Sequence, residues 1–152
     1  MARRALLAPG ALLLAALAGL TGCAGDTDAY CGALEDDQQA LTDLAKSSSS
    51  PDGNLFADGL TVFKGLRQEA PDDIRDEWDT FYFAWEGVAE AFDAAGIGPQ
   101  EYRPGERPDG VSETQAQAIE DAAAELGSAR VVEAGKGIEQ HARDVCKVDL
   151  GL

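Results

Sequence analysis

The sequence predicts an all-α domain, a four-helix up-down bundle closed by one disulfide with its last helix kinked. Apolar residues recur at helical spacing in several long segments, and those segments are separated by stretches rich in Pro, Gly and Ser. Strand signals are sparse, because β-branched residues are few and no alternating run exceeds a few positions.

The first helix is expected from Thr27 or Asp28 to Lys46, where Cys31, Leu34, Leu41 and Leu44 share one face. The run from Ser47 through Pro51 and Asp52 to Gly53 ends it. Asn54 is placed to cap a second helix whose face is Phe56, Leu60, Phe63 and Leu66, running to Glu69. Pro71 suits the first turn of a third, with Asp72 and Asp73 at the positive end of its dipole. Ile74, Trp78, Phe81, Trp85, Val88 and Phe92 then alternate steps of four and three, a sustained core-facing stripe. Gly96, Gly98 and Pro99 stop it.

A long loop follows through Tyr102, Pro104, Gly105, Pro108 and Gly110. Ser112 and Gln115 read as a capping box for the next helix, with Ala116, Ile119, Ala123 and Leu126 on its face. Val131, Ile138, Ala142 and Val145 continue that face. Gly127-Ser128 marks either a kink or a new start, and the kink is preferred on parity. An even number of alternating helices brings Cys31, in the first, to Cys146, at the end of the last.

The N-terminal segment stands outside this fold. Arg3 and Arg4 precede an apolar stretch from Ala5 to Leu20, which describes an export signal. A membrane span needs about 20 apolar residues, and Pro9 and Gly10 interrupt this one. The closing run Leu20-Thr21-Gly22-Cys23 resembles a bacterial lipobox. That resemblance implies a signal peptide over 1–22, a diacylglycerated Cys23 as the mature N-terminus, a tether over 23–27 and the helical domain over 28–152. Each buried acyl methylene contributes about 0.8 kcal/mol, so the lipid would hold the chain to the extracytoplasmic face of its membrane.

Charge narrows the partners. When the signal is removed, Lys and Arg fall from 12 to 10 against 28 Asp and Glu, and the net charge moves from −16 to −18. Such a domain repels nucleic acid and anionic head groups, both of which need a surplus of basic residues. With Cys23 assigned to the lipid, Cys31 and Cys146 form an even pair, which in an oxidising compartment predicts a disulfide. Two cysteines and the single histidine, His141, are too few soft ligands for a zinc centre.

Taken together, Cys23, the pair Tyr30-Cys31, the start Ala70-Pro71-Asp72-Asp73-Ile74, Trp78 and Cys146 resemble the small, alanine-rich, helical lipoproteins of uncharacterised function common in actinobacteria. The resemblance implies a surface or cell-wall-side location and a disulfide-closed helical domain. It implies no catalytic residue, ligand or cofactor.

No motif specifies a reaction, and the expectation is a non-enzyme. Sequence-adjacent carboxylates at Asp36-Asp37, Asp72-Asp73 and Asp76-Glu77 point about 100 degrees apart on a helix, which suits solvated charges better than an acid/base pair. Gly96-Ile97-Gly98 lacks a third glycine and follows a helix. Asp109 and Glu120 have the spacing of the ends of a calcium loop, but Val111 and Thr114 stand where a ligand and the required glycine belong. Two functions are weighed. The first is an interaction module for an envelope protein, contacting it through the loop from Gly96 to Val111 with Tyr102, Arg103 and Arg107. The second is small-ligand binding in an aromatic-lined groove of Trp78, Tyr82 and Trp85, suggested by the run Phe81-Tyr82-Phe83-Trp85, although packing accounts for Trp78, Phe81, Tyr82 and Trp85 on one broad buried face with only Phe83 left over. The sequence carries no signal for oligomeric state.

Overall fold

A computed structural model describes residues 24–47 and 55–150. The signal, the lipobox with Cys23 and the Asn54 cap lie outside the described residues. Within them the chain is all-helical: α1 (Ala24–Ser47), α2 (Leu55–Glu69), α3 (Arg75–Ala95), α4 (Glu113–Leu126) and α5 (Ala129–His141), with a 3₁₀ turn at Pro99–Glu101 and a π turn at Ala142–Cys146. The β-pairing among the described residues is a single isolated bridge, Arg103 with Glu106.

Five helices replace the four expected, because the chain starts afresh at Gly127-Ser128 instead of bending there. The Gly127 N–H closes α4 on the Ala123 carbonyl at 3.1 Å. Ser128 then adopts an extended conformation (φ −64, ψ 152) and its Oγ accepts from the Val131 N–H, an N-cap that α5 could not have inside a continuous helix. The two pieces follow one another along α3. Gln115 Nε2 donates to the Ala94 carbonyl at the C-terminal end of α3 (2.7 Å), whereas Gly137 lies against Glu77 near its N-terminal end.

Three boundaries also differ from expectation. α1 begins at Ala24, so Ala24 to Thr27 of the supposed tether are helical. α3 begins at Arg75, because the Pro71 carbonyl is engaged by the Ile74 N–H at 3.1 Å in a separate turn. At the end of the last stripe Val145 is 46% exposed and Cys146 faces inward. The wider π turn over Ala142–Cys146 supplies the reason, since it moves the inward position one residue along. The capping box is as expected: Ser112 Oγ accepts from the Gln115 N–H, and Gln115 Oε1 accepts from the Ser112 N–H at 2.9 Å. Gly96, at φ 71, gives α3 the left-handed C-cap that a side chain would strain.

The main core joins Tyr30, Leu34 and Leu41 of α1 to Phe63 and Leu66 of α2, Trp78 and Tyr82 of α3, and Ile138 of α5. Each of these large side chains contributes about 1.5–3 kcal/mol on burial. A second cluster forms at the other end of α3, where Val88 and Phe92 meet Ile119, with Ile97, Tyr102 and Leu126 at its margin. A disulfide joins Cys31 to Cys146, 115 positions apart in sequence, with 5.0 Å between their Cα atoms. The first half of α1 and the π turn after α5 are therefore tied at one end of the domain.

Candidate functional site: an aromatic-floored groove between α3 and α5

The predicted ligand surface separates into two unlike places. Trp78 is buried in the core, where its Nε1–H donates to the Tyr30 hydroxyl at 2.8 Å. Tyr82 is buried as well, its hydroxyl donating to Glu86 Oε1 at 2.8 Å and its ring covered by the Arg67 guanidinium. Arg67 also covers the exposed ring of Phe83 and pairs with Asp79. Trp85, in contrast, lines a cavity.

That cavity is a groove of about 460 Å³ lined by Phe81 and Trp85 of α3, Leu126 of α4, and Val131, Val132, Gly135, Lys136 and Glu139 of α5. Phe81 and Trp85 stand four residues apart on α3 and so share a face. Behind them, Phe63 of α2 meets both rings at 5.1 and 5.2 Å in edge-to-face contacts, which fixes the floor. Gly135 opens the groove from the α5 side. A Cβ at that position would come within 3.5 Å of the Phe81 ring, so the ring rests on nearly bare backbone. The break at Gly127-Ser128 places Leu126 and Val131 at one end, and Val132, 46% exposed, forms the lip. Lys136 and Glu139 supply the polar rim. A mostly apolar cavity of this size with a few polar groups has the character of a small-molecule site.

Phe81 belongs to the aromatic run that the sequence singles out, whereas sequence reasoning missed Val132 and Gly135. A signal for Val132 was present in the doublet Val131-Val132, since neighbours on a helix point about 100 degrees apart and cannot both face one seam.

The long loop is an ordered structure. The Gly98 N–H donates to Glu101 Oε2 at 2.7 Å, and the Tyr102 ring packs edge-on to Phe92 at 5.7 Å. Tyr102 thus anchors the loop to the second core cluster. Burial raises its phenol above the ordinary value, with Glu120 adding to the shift. Arg103 Nη1 donates to the carbonyls of Gln100 and Tyr102, and a turn across Arg103–Glu106, with Gly105 at φ 81, follows it. Arg103 and Arg107 are exposed.

The remaining candidates hold structural positions. Asp72 pairs with Arg75 at 3.0 Å, and the Asp37 carboxyl is raised by burial and by the adjacent Asp36 charge. No group of three or more His, Cys, Asp or Glu side chains among the described residues could hold a metal ion, so Asp109 and Glu120 form no such cluster. Nor is any helix among the described residues long and apolar enough to cross a membrane.

Tyr30 carries the largest electrostatic perturbation near this core. Burial pushes its phenol up to about 12, outweighing the opposing hydrogen bond from Trp78, while the charge of Asp73 adds to the rise. Because the folded value lies above the ordinary value of about 10, the associated stability is complete below about pH 10 and is lost as pH climbs toward 12. Absorbance near the tyrosinate band should accordingly show one of the three tyrosines ionising together with alkaline unfolding. A Tyr30 that titrates reversibly in the folded protein near its ordinary value would contradict this burial.

No protein-family model matches the chain, and neither a curated protein nor a solved structure matches it.

Proposed function

We propose that this chain is a lipid-anchored, extracytoplasmic, non-catalytic binding module, and that the groove between α3 and α5 is its ligand site. The carrying observation is the groove itself: an apolar recess floored by Phe81 and Trp85, in a chain whose net charge is −16. The lipobox-like run from Leu20 to Cys23 supports a site working beside a membrane, and the Cys31–Cys146 disulfide accords with an oxidising compartment.

Titration of the intact protein with apolar small molecules should produce a saturable change in tryptophan fluorescence, since Trp85 lines the groove. Val132→Asp places a charge at the lip, where the side chain is already exposed, and should weaken that binding at least tenfold without altering helicity. Equal affinity in the variant would remove the groove from the reading. A second reading, an envelope-protein contact, is favoured by the ordered and exposed turn at Arg103 to Arg107, which offers two cations on an acidic domain. A fluorescence signal that never saturates with any small molecule would shift the assignment to that turn.

A further inference from the structure

At the disulfide-bonded end of the domain, His141 closes α5 where the backbone passes into the π turn. Its side chain is one-tenth exposed, and among the described residues neither Nδ1 nor Nε2 has a hydrogen-bond partner. A buried polar atom without a partner is uncommon in a folded protein and calls for a reason. Asp73 suggests it. Its Oδ2 lies 3.6 Å from His141 Nε2, just beyond hydrogen-bonding reach, and its side chain is 73% exposed and so has room to move.

We propose that Asp73 and His141 form a pH-responsive latch, open when the imidazole is neutral and closed as an ion pair when it is protonated. Imidazole is the side chain that changes charge across the range from about pH 5 to 8. Protonation turns both ring nitrogens into donors, and an approach of under about an ångström brings Nε2–H onto the carboxylate. The last turn of α5 favours the cation through its dipole. From α1 the imidazole faces the ring of Tyr30 at 5.6 Å, whose phenol is neutral throughout this range. From the turn before α3 it faces Asp73. Glu77 of α3 lies against Gly137, one turn earlier on α5, and Arg143 and Asp144 of the π turn are exposed.

Closing the pair ties the start of α3 to the end of α5, and so to the segment that follows it. There the Val148 N–H bonds to the Ala142 carbonyl at 3.0 Å, and Gln38 Nε2 holds the Asp149 carbonyl at 3.0 Å. The latch therefore regulates how readily residues 142–150 open.

Native-state hydrogen exchange on the full chain tests this. Protection factors for amides in 142–148 should be about two- to fivefold higher at about pH 5.5 than at about pH 8, the range of a partly exposed ion pair. Asp73→Asn and His141→Gln should each abolish that difference while leaving protection in α2 unchanged. A general gain at the lower pH, equal in all three proteins, would trace to relief of acidic repulsion and overturn the latch. So would an Asp73→Asn variant that keeps the full difference. The chain has a single histidine, which supplies an independent readout. At about pH 5.5 its ring resonances should differ between wild type and Asp73→Asn, and superimposable spectra would show that Asp73 is not its partner.

Discussion

Replacing Cys31 and Cys146 together by serine should remove a large share of this domain's stability. The bond joins residues 115 positions apart, so the unfolded chain that it constrains is closed into one long loop. The chain-entropy account credits a loop of about 100 residues with about 4.7 kcal/mol, and native disulfides in small domains measure about 2–5 kcal/mol. Domains of this kind hold only about 5–15 kcal/mol in total. Urea unfolding of the oxidised wild type and the double variant should show the midpoint falling. The denaturant slope should rise at the same time, because the uncrosslinked chain exposes more surface when it unfolds. Coincident midpoints would mean that the two cysteines are not paired in the folded protein.

Trp78→Ala should be the most damaging single substitution, at about 3–5 kcal/mol. The indole is 1% exposed and stands edge-on to Tyr30 at 6.4 Å and to Phe81 at 6.2 Å, with Phe63 tilted against it at 6.4 Å. Truncation therefore opens a cavity where α1, α2 and α3 meet, and it also leaves the Tyr30 hydroxyl without its donor. Trp78→Phe separates the two losses. It keeps most of the bulk and removes the N–H, so its cost should be near the about 1–3 kcal/mol of a buried group left unpaired. Thermal melts monitored by circular dichroism should rank wild type, Phe and Ala in that order. A Phe variant as damaged as the Ala variant would place the whole effect in the hydrogen bond.

Much of this architecture was legible in the residues because helical periodicity is a local property. The stripe from Ile74 to Phe92 announces α3, and Ser112 with Gln115 announces the start of α4, since each depends on residues within a few positions of one another. The break at Gly127-Ser128 was written less clearly. Whether a serine caps a new helix or continues the old one depends on its backbone angles, and those are set by how α4 and α5 each settle onto α3. The shift from Val145 to Cys146 has the same origin, for a π turn leaves no mark in the apolar spacing.

The candidate site was legible only in part. Trp85 was picked out with Trp78 and Tyr82 because all three are aromatic and close in sequence, yet burial divides them: Trp78 fills the core, Tyr82 lies under Arg67, and Trp85 shares a groove with Phe81. A groove is a gap between elements. Here Gly135 lines it opposite the Phe81 ring, a pairing of residues 54 positions apart that no local pattern encodes.

By itself, then, the sequence determined the all-α class, the acidic character and the resemblance of Leu20 to Cys23 to a lipobox, all of which follow from composition and short-range order. Only the tertiary structure decided that the described residues form five helices, that Phe81 and Trp85 floor a recess beside Val132, and that the ring nitrogens of His141 lack a hydrogen-bond partner beside Asp73. The physical reason is range. Spacing and capping are settled within a turn or two of helix, whereas cavities and orphaned polar atoms come from how side chains far apart in the chain share one volume.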